Sequence, residues 1–391
     1  EMIPHAGQTL HRLLLINPFT RKPKYNRFNP LDFDVLIVDE ASMIDQQILV
    51  QLINALPKEG RVIFLGDKDQ LASVEAGAIM HELCAKENYS EAHITHLSQL
   101  LGISLSGKAF SNVTMPAFNY LSFLKKSYRF RSDSALGALA KLVNNSEEQG
   151  RAMQYEAVMQ LFKDANHHAE NALGESLQLT MLPMPEKSLE TIIRQEFSEY
   201  LDILPNNAGI EFAEEAFKVF QKVGVLSARR TGLEGAIELN HQIRRTLFPS
   251  EAGREFFHGL PIMITHNSAE NNLFNGDVGL ILRNETGDLR AYFEGVESAR
   301  VFSIHTLPKF EPAFAMTIHK SQGSEFERVL LFLGAEPSAF LTKELFYTGI
   351  TRAKKSVHLF ASDAALKAAL AGRVDRYSFI HQRLCSALAV E

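Results

Sequence analysis

Residues 33–40 read Phe-Asp-Val-Leu-Ile-Val-Asp-Glu. An apolar, β-branched run of this length that stops abruptly at two carboxylates is the pattern of a buried parallel strand with acids at its carboxyl end. A helical pattern over 45–56 follows, closed by Pro57, and a second apolar strand over 61–65 runs into Gly66-Asp67. Strand, helix, strand predicts an α/β fold, and ligands of such sheets bind beyond the carboxyl ends of the strands. Asp39, Glu40 and Asp67 therefore fall where chemistry is expected.

Further along, a strand over 224–228 and a helix over 234–247 open a second α/β unit. Short strands over 261–265, 277–282, 289–293 and 300–304, separated by Asn-Gly, Thr-Gly-Asp and Glu-Gly turns, predict a small antiparallel barrel inserted into it. The α/β pattern resumes with 314–318, a helix start at Gly323, a strand over 328–333, a helix over 344–352 and a strand over 356–360. Between the two units, 86–120 reads as a long loop with a helical piece, and 132–220 as mostly helical.

The 391 residues suit two or three domains, and 46% hydrophobic with 22% charged residues is an ordinary globular balance. Only Cys84 and Cys385 occur, which excludes a disulfide framework, a Cys-rich zinc site and an iron–sulfur cluster and makes a reducing cytoplasm the expected compartment. No apolar run approaches the length of a membrane span, and the first residues lack the basic start and apolar stretch of a secretory signal. With 40 Lys and Arg against 46 Asp and Glu, the net charge of −6 gives no global attraction to nucleic acid. Any such binding falls to local patches: Arg21, Lys22, Lys24 and Arg27; Lys125, Lys126, Arg129 and Arg131; Arg229, Arg230, Arg244 and Arg245; Arg352, Lys354 and Lys355. Ordinary solvated faces are the alternative for each.

Two adjacent strand-end carboxylates suit nucleoside triphosphate chemistry. Asp39 would hold Mg²⁺ through its water shell, and Glu40 would orient and deprotonate the attacking water. The alternative is an acidic pair facing a helix N-terminus. The second strand ends in Gly-Asp-Lys-Asp-Gln-Leu over 66–71, one strand–helix–strand unit later. Gln70, neutral and able both to accept from water and to donate to a phosphate oxygen, suits a sensor of the terminal phosphate.

Six ordered segments carry a resemblance over nearly the whole chain: Val-Asp-Glu-Ala-Ser-Met (38–43), Gly-Asp-Lys-Asp-Gln-Leu-Ala-Ser-Val (66–74), Lys-Ser-Tyr-Arg-Phe (126–130), Phe-Asn-Gly-Asp-Val-Gly (274–279), Thr-Ile-His-Lys-Ser-Gln-Gly-Ser-Glu-Phe (317–326) and Tyr-Thr-Gly-Ile-Thr-Arg-Ala-Lys (347–354). In these the chain resembles the superfamily 1 DNA helicases, and within them the 5′ to 3′ motor subunits of exodeoxyribonuclease V (RecBCD-type) complexes. The resemblance implies two RecA-like (P-loop NTPase) domains with parallel sheets. The first, incomplete, would cover 1–130 and the second 131–391, with a small SH3-like β-barrel inserted at 262–312. It implies ATP and Mg²⁺ in the cleft between the domains, single-stranded DNA across their top, and RecB-like and RecC-like partners. Asp39 would organise the metal, Glu40 would be the general base, and Gln70 would couple the γ-phosphate to DNA. Arg129 and Arg352 would reach the γ-phosphate from the second domain. Thr317, His319 and Gln322 would meet the DNA backbone, and Gly323 and Glu325 would face the nucleotide. Tyr347 is open between packing beside the nucleotide and filling the core.

A P-loop enzyme also needs a Gly-rich loop ending in Gly-Lys-Ser/Thr ahead of the strand that bears Asp39. None of the residues before that strand match. The run Gly-Ile-Ser-Leu-Ser-Gly-Lys-Ala over 102–109 has the Gly and Lys spacing, but it follows the Asp-Glu strand and puts Ala109 where a hydroxyl belongs. Glu1 is not an initiator Met, and Thr-Leu-His-Arg-Leu-Leu over 9–14 resembles family sequence downstream of the phosphate loop. The expectation is a piece of a longer ATPase that turns over poorly on its own. A non-motor structural or regulatory subunit, a stand-alone helicase of the same family and a nuclease compete with this reading. The retained Asp39, Glu40, Gln70, Arg129 and Arg352 speak against a decayed site, and no Pro-Asp dipeptide or Asp…Glu-x-Lys cluster supports a nuclease.

Overall fold

The computed structural model describes residues 7–17, 20–72, 79–84, 89–105, 120–124, 134–144, 151–167, 176–205, 207–268, 270–295 and 298–373. The chain divides into two compact units, Glu1–Lys126 with Val374–Glu391 and Ser127–Arg373. The expected domain boundary at 130/131 lies outside the described residues, as do Arg129 and the second half of the 102–109 run.

In the first unit, β1 (Val35–Val38) and β2 (Arg61–Phe64) pair in parallel, Val35 opposite Arg61 through Val38 opposite Phe64. The crossover helix Gln46–Asn54 starts where its sequence says it should: the Asp45 carboxylate accepts from the Ile48 N–H at 2.7 Å, an N-cap. Its apolar face, Ile48, Leu49 and Leu52, is buried with Leu14, Leu31, Val38, Ala41 and Ile44. The opposite face of the pair is open, which corrects the reading of both strands as buried. Val35, Ile37 and Ile63 are 50%, 42% and 46% exposed. Side chains alternate across a strand, so the covered face holds Leu36, Val38, Val62 and Phe64 and the bare one the odd-numbered apolar residues. Farther on, Ser90 caps the helix Glu91–Leu101, which ends at Gly102 in a left-handed conformation (φ 66°).

The second unit contains two sheets. The parallel one is built from β3 (Ser176–Met181), β4 (Val223–Ser227), β10 (Ala315–Thr317), β11 (Phe326–Gly334) and β12 (Ala353–Ala361), in the order β10-β4-β11-β12-β3. Between the helix Ala236–Leu247 and β10 the chain makes an antiparallel sheet of β5 (Leu260–Ile264), β6 (Val278–Arg283), β7 (Leu289–Phe293), β8 (Arg300–Ser303) and β9 (Phe310–Pro312), ordered β8-β7-β6-β5-β9. The Asn-Gly and Thr-Gly-Asp turns put Gly276 and Gly287 at φ 97° and 88°, where only glycine is unstrained. Among the described residues no ladder joins β8 to β9, so the insertion is an open five-stranded sheet. One apolar cluster includes both sheets, with Phe314, just before β10, edge-on to Phe197 and Phe220.

Two sequence readings are corrected here. β3 falls within the stretch read as mostly helical. Its Ser-Leu-Gln-Leu-Thr-Met alternates with period two and buries only Leu177, as befits an edge strand that among the described residues pairs with β12 alone. No helix starts at Gly323: a single 3₁₀ turn, Ile318–Ser321, comes before it, Gly323 turns the chain at φ 79°, and β11 begins three residues later.

His358 on β12 stacks on Phe360 and sits with Nε2 2.7 Å from the Thr180 hydroxyl of β3. Burial pushes its pKa down to about 4 from an ordinary value of 6.5. A histidine with a depressed folded pKa binds its proton more readily when unfolded, so stability is lost as pH falls through the window from 6.5 to about 4. The loss at the bottom of that window is about 3 kcal/mol. Urea melts at pH 7 and pH 4 should show it, and the loss should be smaller in His358→Phe than in wild type.

Candidate active site

The carboxyl ends of β1 and β2 are stitched together by main-chain bonds. The Leu65 N–H donates to Val38 O at 2.8 Å, and the Ala41 N–H donates to Leu65 O at 2.8 Å. Gly66 lies so close that a Cβ there would stand 3.1 Å from both Ala41 N and Ser42 N, so any side chain would push the two strand ends apart. Asp39 is exposed at the end of β1, and its Oδ1 accepts from the Glu40 N–H at 2.8 Å. Glu40 is half-buried in the left-handed region (φ 50°, ψ 41°). A non-glycine residue there costs of order 1–3 kcal/mol, and such strain is held where the surroundings fix it, as the Ala41–Leu65 bond does here. After β2 the chain folds on Asp67, whose carboxylate accepts from the Asp69 N–H at 3.0 Å and from the Gln70 side-chain amide at 3.4 Å. The structure thus brings Asp39, Glu40 and the Asp67–Gln70 turn to one end of the parallel pair.

Ser42 was not picked out from the sequence. Its Oγ is buried beside these strand ends, with no hydrogen-bond partner among the described residues. Among the described residues no three His, Cys, Asp or Glu side chains gather as a metal cage. The exposed Asp39 carboxylate at the strand end fits Mg²⁺, which keeps much of its water and is held by one or two carboxylates together with substrate phosphates.

In the second unit, Thr317 ends β10 level with Ser227 of β4. The turn that follows is anchored by two buried residues, Ile318 and Ser321, with the Ser321 hydroxyl donating to Ile318 O at 2.8 Å. His319, Lys320 and Gln322 remain half-buried. Lys320 pairs with Glu311 of β9, which also pairs with Arg230 at 3.0 Å.

The chain then returns to the amino ends of β11 and β12. Here Glu325 pairs with Lys354 at 2.9 Å, while Arg352 donates to Thr348 O at 3.3 Å and to Ser324 O at 3.2 Å. Arg352 is only 1% exposed. Expected at the γ-phosphate, it is seen holding carbonyl oxygens of its own unit. Gly323, Glu325 and Arg352 therefore meet at one end of the sheet, and Thr317 and His319 at the other. Three residues, 320–322, separate His319 from Gly323. Tyr347 is half-buried on the helix Lys343–Ile350.

An AAA domain model matches residues 1–101 and a UvrD-like helicase C-terminal domain model matches 312–360. The chain is 36% identical over 391 aligned positions to the RecBCD enzyme subunit RecD of Haemophilus influenzae, an alignment covering 96% of this chain and 58% of that protein. The chain is RecD-like. The RecD of Mycobacterium tuberculosis is 31% identical, over 97% of this chain and 58% of that protein. The ATP-dependent RecD2 DNA helicase of Deinococcus radiodurans is 24% identical, over 95% and 42%. The RecD-like chain thus spans about 58% of the length of the RecD subunits it matches. Among solved structures, Pif1 helicase from Bacteroides in complex with ADP-AlF3 and single-stranded DNA is similar at 16% identity over 97% of this chain and 84% of that one, with a TM-score of 0.41. A likeness that weak adds nothing to the fold described above.

Proposed function

We propose that the RecD-like chain carries the motor core of an ATP-dependent 5′ to 3′ DNA helicase subunit, which works in the cytoplasm with RecB-like and RecC-like partners in double-strand break repair. The observation that carries the reading is the stitched junction of β1 and β2, which sets Asp39, Glu40 and Gln70 at one end of a parallel pair. Phosphoryl transfer is mostly positioning and electrostatics, so a rigid main-chain frame under these groups is what the chemistry needs. Bound Mg²⁺ would neutralise charge developing on the phosphates. Asp39 would hold it, Glu40 would take the proton from the attacking water, and Gln70 would sense the terminal phosphate. Arg129 and Arg352 supply positive charge to that phosphate, and Gly323 and Glu325 line the nucleotide side.

Thr317, His319 and Gln322 meet the DNA backbone. Main-chain N–H groups of a tight turn can reach phosphate oxygens as well as the helix start expected there. The 318–325 segment connects this turn to Ser324 and Arg352, so a shift at the DNA end bears on the nucleotide end. No described helix is long and apolar enough to cross a membrane. Relatives named as RecBCD subunits support the partner assignment.

Strand displacement by the intact natural protein tests the reading. With ATP and Mg²⁺ it should open duplexes bearing a 5′ single-stranded tail and leave 3′-tailed duplexes closed. Opening only 3′-tailed duplexes, or opening neither while ATP is consumed, would contradict it.

A further inference from the structure

β10 is three residues long and, among the described residues, has a strand neighbour, β4, on one side only. An edge strand leaves backbone groups that must find other partners when buried. On the open side of β10 stands Asn240, 6% exposed on the helix Ala236–Leu247. Its Oδ1 accepts from the Ala315 N–H at 3.1 Å, and its Nδ2 donates to Ala315 O at 2.7 Å. The same Nδ2 donates to Ala236 O at 2.8 Å, one helical turn back. Only this orientation of the amide gives each carbonyl a donor. A side-chain amide carries the donor and acceptor of a peptide unit, so Asn240 does for Ala315 what a neighbouring strand would do.

We propose that Asn240 is a positioning residue: by clamping Ala315 it fixes the end of β10, and with it the turn that presents Thr317, His319 and Gln322. The inference rests on the reading that this turn meets the DNA backbone. Asn240 touches neither nucleic acid nor nucleotide; it acts through two residues of strand. Phe314 and Ile318 seat the segment in the core and the β4 ladder sets its register from one side, while the two Asn240 bonds hold Ala315 from the other.

The test compares Asn240→Leu, nearly the same size without the polar atoms, Asn240→Asp, which keeps an acceptor and loses the donor, and Leu330→Ala, which loosens β11 of the same sheet without touching β10. In the intact protein, Asn240→Leu should raise the single-stranded DNA concentration that half-saturates ATP turnover by about tenfold. Its KM for ATP should stay within about twofold, and Asn240→Asp, which turns a carboxylate oxygen onto the carbonyls of Ala315 and Ala236, should be no closer to wild type. Amide hydrogen exchange should quicken over 315–322 and not in β11. Leu330→Ala should lower the melting temperature and leave the DNA half-saturation unchanged. Unchanged DNA half-saturation in Asn240→Leu, or an equal rise in Leu330→Ala, would overturn the proposal. Should wild type show no DNA response, the helicase reading falls; unchanged exchange over 315–322 in Asn240→Leu would separately overturn the clamp.

Discussion

Glu40→Gln in the intact protein is expected to lower DNA-stimulated ATP turnover by about 10²- to 10⁴-fold, the range of a positioned general base. Gln keeps the size of the side chain, so the left-handed backbone at 40 and the Ala41–Leu65 bond should survive. What changes is basicity: an amide takes no proton from water. Affinity for ATP and for single-stranded DNA should stay within about threefold of wild type, because the metal falls to Asp39 and the loss appears only as the transition state forms. A variant retaining more than a tenth of wild-type turnover would show that Glu40 is not the base, and a large loss of nucleotide affinity would assign it a binding role instead.

Arg352→Lys should cost about 10³-fold or more in turnover if the guanidinium serves the γ-phosphate. The position is harder to read than Glu40 because Arg352 also holds the carbonyl oxygens of Thr348 and Ser324 in the core of its unit. Lysine keeps the charge but loses the planar fork that reaches two acceptors, so one of those carbonyls is left short. Stability of the second unit should fall by about 1–3 kcal/mol. The two roles separate experimentally below the melting transition. A purely structural arginine gives a lower melting temperature with turnover within about tenfold of wild type, whereas the proposed role gives both losses together.

Much of the scaffold around these residues was legible in the sequence, for physical reasons that also mark where legibility ended. The apolar run before Asp39 and its partner before Gly66 were strands because their length, β-branching and abrupt polar ends admit little else, and the helical pattern between them ran up to Pro57. The turns at Asn275-Gly276 and Thr286-Gly287 fixed the antiparallel insertion to within a residue or two, since few sequences accept positive φ. Edge strand β3 was lost because half its residues face away from the core and dilute the apolar signal. Gly-Ser-Glu at 323–325 imitates a helix start, but the apolar run behind it pairs on both sides between β4 and β12, and sheet pairing overrode the local pattern.

At the site, the grouping of Asp39, Glu40 and Gln70 followed from strand-end logic, while roles for Arg129, Arg352, Thr317, His319 and Gln322 came through family resemblance. Burial of Arg352 was invisible in sequence, where it sits in a run of basic residues that looks solvated. Asn240 did leave a trace: it is the amide, and with Thr246 one of two polar residues, on the stripe formed by Ala236, Leu239, Ile243 and Leu247. A lone amide on an apolar stripe says that something polar is buried opposite, and only the fold says that it is the backbone of Ala315.

The most direct test of the motor assignment is steady-state ATP hydrolysis by the intact natural protein with Mg²⁺, measured with and without single-stranded DNA. The account predicts turnover that rises about tenfold or more with saturating DNA, as expected when the nucleotide and DNA segments are coupled through 318–325. Turnover indifferent to DNA, or absent in its presence, would contradict it.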